Sequence, residues 1–430
     1  MLKKIITLLI FRVIIILIVS AGCGQKLRTA DDDLIYWSAN NPYEQEVARA
    51  VVKEWNELHP DIQVHHQPIP EGQSSEEVIL AAIVGGTTPD IYSNVWPGDT
   101  EFYVRANAVV CLSEFPDCES FLKDRCPEDL VELSRSRDGR LYQVPWKSNP
   151  ILMQYNIKMF REVGFDAPPR TYSEYFAAAE KIAKLGSKNR KLWVGVRDIK
   201  IDWWQRFFDF YTFYIAASGG NTLVRGDSIL FENEAAIDVF DFFSRIYRNG
   251  YYPLQNVSRS GDLFLLERVA SRFTGPWEIT HTEKFMPEGF EYGFAPIPVP
   301  DDYEGPVYTY GDPKNIVIFS TCARPEDAWE FVKFLVSRKN DYRLLKLATQ
   351  LPVRKDILTD SLFLDYFEAN PRMLPFAEQL QYVRGVDQSP VMKEIFDAIS
   401  QEYEAAVLYE IKTPEQAIHD IARRVRLILE

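Results

Sequence analysis

Apolar positions along the chain alternate between two periods. From Tyr43 the residues Val47, Val51, Trp55 and Leu58 recur at helical spacing until His59-Pro60 interrupts them, and Asn41-Pro42 supplies an N-cap and a first-turn proline. Residues 34–37 ahead of this helix read as a buried strand, and Ile62-Gln63-Val64 opens a second one. An amphipathic helix follows over 73–84, closed by Gly85-Gly86, and Thr88-Pro89-Asp90 leads into a strand at 91–94. Strand, helix, strand, helix, strand at this pace predicts an open parallel sheet covered by helices.

After Pro145 the pattern resumes. Thr171-Tyr172-Ser173-Glu174 matches a capping box before a helix over 175–185 that Gly186 ends. A strand is expected at 192–196, an aromatic-rich helix over 203–217, and an amphipathic helix over 234–248 that stops at Asn249-Gly250. Pro298 and Pro300 close a strand, residues 315–319 are strand-like, Pro325 opens a helix over 326–336, and 391–429 is mostly helical.

The first 22 residues follow neither period. Lys3 and Lys4 precede an apolar run over 5–19, broken only by Arg12, and Ser20-Ala21-Gly22-Cys23 ends it. This is the order of a bacterial export signal. The small-small-Cys ending resembles a lipoprotein signal, with Ser20 in place of the usual Leu, which implies lipidation at Cys23 and a tether over 23–33. A retained membrane span needs about 20 apolar residues, more than this run supplies.

Of 430 residues 46% are hydrophobic, enough for two or three cored units. Removing residues 1–22 takes away three cations and no anion, so the formal charge moves from −14 to −17. A surface that acidic repels phosphate backbones and speaks against nucleic acid as partner. Cys111, Cys118, Cys126 and Cys322 lack zinc-site spacing; either a Cys118–Cys126 bridge or free buried thiols fit an exported chain. There is no P-loop, H-E-x-x-H, G-x-S-x-G or G-x-G-x-x-G, and His65-His66 would point to opposite faces of a strand, so neither cofactor nor metal is expected.

Several stretches together resemble one family. They are the helix ending at His59-Pro60 with Ile62 and Val64, the run Gly85-Gly86-Thr87-Thr88-Pro89-Asp90-Ile91, and Tyr155-Asn156 with Phe160, Gly164, Pro168-Pro169, Thr171 and Glu174. Gly275-Pro276-Trp277, Ala328-Trp329-Glu330-Phe331 and Leu351-Pro352-Val353-Arg354 complete the series. In this order they are similar to the extracellular solute-binding proteins of ABC importers, the group that contains maltose-binding protein. The resemblance implies a two-lobed periplasmic-binding-protein-like fold of type II, with two discontinuous α/β domains joined by hinge strands. The lobes would be 34–147 plus 314–355 and 148–313 plus 356–430. It also implies a non-enzymatic carbohydrate receptor, monomeric and held to the membrane through its lipid, that hands its ligand to permease subunits powered by a separate ATPase.

Sugars offer C–H faces to aromatic rings and hydroxyls to carboxylates and amides. Open α/β sheets bind ligands beyond the carboxyl ends of their strands. In this chain those ends carry Trp37 and Asn41, then Trp96 and Asp99. The resemblance places three crossings between the lobes, near 147–151, 308–314 and 351–359, and the family's habits add Trp277, after Gly275-Pro276, and Tyr310-Gly311-Asp312 at the second crossing. Trp146 adjoins the first crossing, Trp204 or its neighbour Trp203 starts the aromatic helix, and Arg384 and Gln388 lie in a loop before the last helices. Two other readings stay open: an exported glycoside hydrolase, which needs two carboxylates about 5 to 10 Å apart, or the same fold with a polyamine, metal chelate or phosphate ester as ligand.

Overall fold

A computed structural model describes residues 33–72, 74–254 and 261–430. The expected export signal, Cys23 and the expected tether up to residue 32 lie outside the described residues. Residues 34–430 make one unit.

The main elements are β1 (Leu34–Ser38), α1 (Pro42–Leu58), β2 (Val64–Pro68), α2 (Ser75–Gly85), β3 (Ile91–Val95), β4 (Val144–Lys147) and β5 (Leu152–Asn156). There follow α3 (Tyr172–Leu185), α4 (Phe210–Ala217), α5 (Glu234–Arg248), β6 (Ser271–Thr274), α6 (Trp277–Phe285), β7 (Tyr292–Ala295), β8 (Thr309–Tyr310) and β9 (Lys314–Ile318). Helices α7 (Pro325–Leu335) and α8 (Arg338–Ala348), strand β10 (Val383–Arg384), and helices α9 (Met392–Tyr403) and α10 (Pro414–Leu429) complete the set.

Local signals act where the sequence places them. Asn41 Oδ1 accepts the N–H groups of Tyr43 and Glu44 and starts α1. Thr171 caps α3, but Glu174 reaches back to the N–H of Arg170 rather than of Thr171, so the capping box is half made. Gly86 ends α2 in the left-handed region at φ 62°.

One sheet has the order β2-β1-β3-β9-β4. Strands β1, β2 and β3 run parallel as predicted, but β9 is antiparallel to both β3 and β4, which makes the sheet mixed. A second sheet, β6-β5-β7, is antiparallel throughout. The strand expected at 192–196 reduces to an isolated bridge between Trp193 and Val269.

The first sheet buries Tyr36, Val51, Trp55, Ile316, Trp329 and Phe331 in one core. A larger, aromatic core gathers Phe210, Phe213, Phe240, Phe243, Ile399 and Tyr403 around α4, α5 and α9. Each such side chain contributes about 1.5–3 kcal/mol by leaving water. Arg125, 3% exposed, is satisfied by Asp341 at 3.0 Å and by the carbonyls of Pro145, Trp146 and Val336. That places a paired charge beneath β4.

Cys118 and Cys126 are both free and buried, as is Cys111, and Cys322 is buried as well. The first two bound the helix Cys118–Arg125, whose rise of about 1.5 Å per residue holds them farther apart than the roughly 7 Å a bridge tolerates.

Three chain segments meet between the sheets. The N–H of Ser148 donates to Leu351 O at 2.9 Å, that of Ile151 to Tyr310 O at 3.0 Å, and the Ser148 hydroxyl to Gly311 O at 2.9 Å. A Cβ on Gly311 would lie 2.4 Å from Ser148 Oγ and 3.0 Å from Val383 Cβ, so this crossing admits only glycine without a shift.

Candidate functional site

The carboxyl end of β3 turns sharply: Asn94 has φ 90°, and Trp96-Pro97-Gly98 folds back on itself. A Cβ at Gly98 would sit 2.2 Å from the Trp96 indole, so the glycine is what lets the ring lie over its own loop. The indole then packs on Trp203 at 5.1 Å and Phe207 at 5.5 Å. These two come from the stretch expected to begin a long helix. It is instead a 3-10 turn, Trp203–Phe207, separated from α4 by Asp209, whose side chain accepts the N–H of Phe210. The break turns Trp203 inward and leaves Trp204 42% exposed.

Around these rings lies a cavity of about 540 Å³. Its walls are Trp96, Trp203, Trp204, Phe207 and Phe208, the carboxylates of Glu76, Glu77, Asp202 and Asp312, and the ammonium of Lys314. The two glutamates occupy the first turn of α2, which Ser74 caps. Asp312, at φ 39°, pairs with Lys314 at 3.3 Å.

A second cavity of about 310 Å³ lies beyond Pro97, lined among others by Ser136, Arg137, Asp387 and Gln388. Burial pushes the Asp387 carboxyl up to about 6, although Oδ2 accepts the N–H groups of Leu223 and Val224. Arg137 spans the gap, donating to Gly226 O at 3.1 Å and pairing with Asp227 at 3.4 Å. Both cavities fall in the size range of small-molecule sites.

Of the residues expected at the site, Trp96, Trp204 and Asp312 share the aromatic cavity, and Gln388 lines the other. Asp99 stands beside them, pairing with Lys393 of α9 at 3.2 Å; burial raises its carboxyl to about 6 despite that lysine.

The rest are employed elsewhere. Trp146 is 2% exposed within the core of the first sheet, because every side chain of β4 is buried. Trp37 packs against the apolar cluster that contains Tyr92, Val95 and Tyr103, and Asn41 spends its side chain on the cap of α1. Tyr310 is buried and stacked on Phe207 at 4.9 Å. Gly311 serves the crossing. Arg384 donates to Gly220 O and lies over the Tyr308 ring at 4.3 Å. Trp277 is half-buried, its ring edge-on to Phe208 at 6.3 Å, one side chain removed from the aromatic cavity.

Sequence reasoning passed over Glu76, Phe207, Phe208 and Lys314. The run Asp202–Phe208, with four aromatic residues in seven, was the available signal.

Among the described residues one group has metal-ligand spacing, Asp262, Glu278 and His281. Arg272 stands among them, 3.1 Å from Asp262 and 2.9 Å from Glu278, and supplies the positive charge itself. No helix of the described residues is long and apolar enough to cross a membrane.

The family described as bacterial extracellular solute-binding protein matches residues 50–373, well over half of the chain. The maltotriose-binding protein of Pyrococcus abyssi is 22% identical over 400 residues, covering 91% of this chain and 80% of that one. An uncharacterized protein of Listeria monocytogenes has a similar structure, with a TM-score of 0.82 at 26% identity over 93% of this chain and 100% of the other. The sugar-binding protein MalE of Xanthomonas citri gives a TM-score of 0.77 at 20% identity over 93% and 97%. With a two-lobed α/β fold and a family match over most of its length, the chain belongs to the bacterial extracellular solute-binding proteins.

Proposed function

We propose that this protein is the substrate-binding component of an ABC importer and captures a carbohydrate between its lobes. The observation that carries the reading is the set of five aromatic rings and four carboxylates around one cavity of about 540 Å³. Rings cover the C–H faces of a sugar, each contributing about 1 kcal/mol beyond its buried area. Carboxylates take its hydroxyl protons at about 1.5–3 kcal/mol per hydrogen bond. Micromolar affinity requires roughly 8 kcal/mol after ordering costs, which several such contacts supply together. The maltotriose-binding relative supports this class of ligand.

Residues 34–147 with 314–355 form one lobe in this reading, and 148–313 with 356–430 the other. The three hydrogen-bonded crossings act as the hinge, and contacts such as Asp99 with Lys393 and Trp96 with Trp203 form as the lobes close. Cys23 carries the lipid that holds a monomeric receptor on the outer face of a membrane. The permease receives the sugar and a separate ATPase supplies the energy. The ligand leaves chemically unaltered.

A thermal-shift screen of the chain lacking residues 1–22 against oligosaccharides, amines and phosphate esters tests this, with product analysis of the same mixtures. Stabilisation by a saccharide without turnover is the expected outcome. Saccharide cleavage, or stabilisation by a phosphate ester alone, would overturn it.

A further inference from the structure

The charges around the aromatic cavity do not balance. Its lining carries four carboxylates against one ammonium, that of Lys314. Each lysine of the neighbourhood already has a partner: Lys314 holds Asp312 at 3.3 Å, Lys393 holds Asp99 at 3.2 Å, and the buried Lys147 holds Glu44 at 2.5 Å. Glu77 and Asp202 are exposed and dissolve their charge in water. Glu76 is different. It is half-buried, lines both this cavity and the smaller one beside Asp99, and its carboxylate has no hydrogen-bond or ion-pair partner among the described residues. Its charge acts on Asp99 and on Lys314 alike.

Trp96 adds a second, independent sign. Only 3% exposed, it lines the same cavity, and its Nε1–H, with the Tyr310 hydroxyl as neighbour, completes no well-formed hydrogen bond. A buried indole N–H without an acceptor is costly and is relieved by a ligand oxygen. The ring faces at this seam also accommodate positive charge: the Lys393 ammonium lies over Trp203 at 5.8 Å and the Arg197 guanidinium over Phe208 at 5.2 Å.

From this leftover carboxylate, the unmet donor and the rings, we infer that the aromatic cavity takes a saccharide bearing a protonated amine, with Glu76 as its counter-charge. The inference rests on the carbohydrate reading above and narrows it to amino sugars. The amine pairs with Glu76, a ring or hydroxyl oxygen accepts from Trp96 Nε1, and the sugar faces lie against the tryptophans. An anionic sugar meets repulsion from the same four carboxylates.

Calorimetric titration of the chain lacking residues 1–22 with the disaccharide of glucosamine, its fully N-acetylated form, maltose and putrescine tests this. The glucosamine disaccharide is expected to bind at least tenfold tighter than the N-acetylated form, with the advantage shrinking as salt rises. Glu76→Gln should remove that advantage while binding of the N-acetylated form persists, which also shows that the variant is folded. Equal or tighter binding of the N-acetylated form or maltose to the unaltered protein would overturn the inference and leave the carbohydrate reading standing. Binding of putrescine with no saccharide bound would overturn both.

Discussion

Trp204 and Trp96 line the same cavity under opposite constraints. Trp204 is 42% exposed, so Trp204→Ala should move stability by less than about 0.5 kcal/mol while weakening saccharide binding about tenfold. Denaturant titration and calorimetry on the same variant separate the two effects. Trp96, packed against two rings, would lose about 3–5 kcal/mol of stability on truncation and cannot report on ligand so cleanly. Asp99 carries a pH signature. In the folded chain its carboxyl takes up a proton near 6, against the ordinary value of 3.8, because burial outweighs the Lys393 charge. Between those values the native state binds more protons than the unfolded one, so this group makes stability fall as pH rises through the window. Asp99→Asn should therefore stabilise the protein by about 2 kcal/mol above the window and by almost nothing below it, as read by denaturant unfolding across pH.

Single elements test the crossings between the sheets. Gly311→Ala forces a Cβ to within 2.4 Å of Ser148 Oγ and should cost about 1–3 kcal/mol, with looser saccharide binding if the proposed hinge runs through this segment. Arg125→Ala leaves the fully buried Asp341 with Arg354 alone and removes the donor that holds the carbonyls of Pro145 and Trp146; a loss of about 1–3 kcal/mol is expected in denaturant unfolding. The elements themselves were largely legible. Asn41, Thr171 and Gly86 announce helix ends through local chemistry, and the apolar spacing of α5 gives both of its ends. The direction of β9 was not legible, since a buried strand reads the same whether its neighbours run parallel or antiparallel. For the same reason Trp146 could be placed next to a crossing yet not assigned to core or cleft. The 3-10 turn at Trp203–Phe207 was hidden because Asp209, which breaks the helix, is an ordinary polar residue within an apolar run. Glu76 was hidden because the residues that share its cavity, such as Trp96, Asp312 and Lys314, are remote from it in sequence.

At the scale of the whole molecule, residues far apart in the chain build one cavity and should respond together to its occupant. Trp96 follows β3, Trp203 and Trp204 precede α4, and Asp312 sits at the second crossing, yet all four line one space. Closure over a ligand should therefore shorten the radius of gyration seen by small-angle scattering, as in hinged binders generally. The most direct measurement is a tryptophan-fluorescence titration of the chain lacking residues 1–22 with a panel of oligosaccharides that includes amino sugars. A saturable change with at least one saccharide, strongly diminished in Trp204→Ala, is what a ring-lined carbohydrate cleft predicts. No saturable change with any saccharide, or an undiminished one in Trp204→Ala, would contradict it.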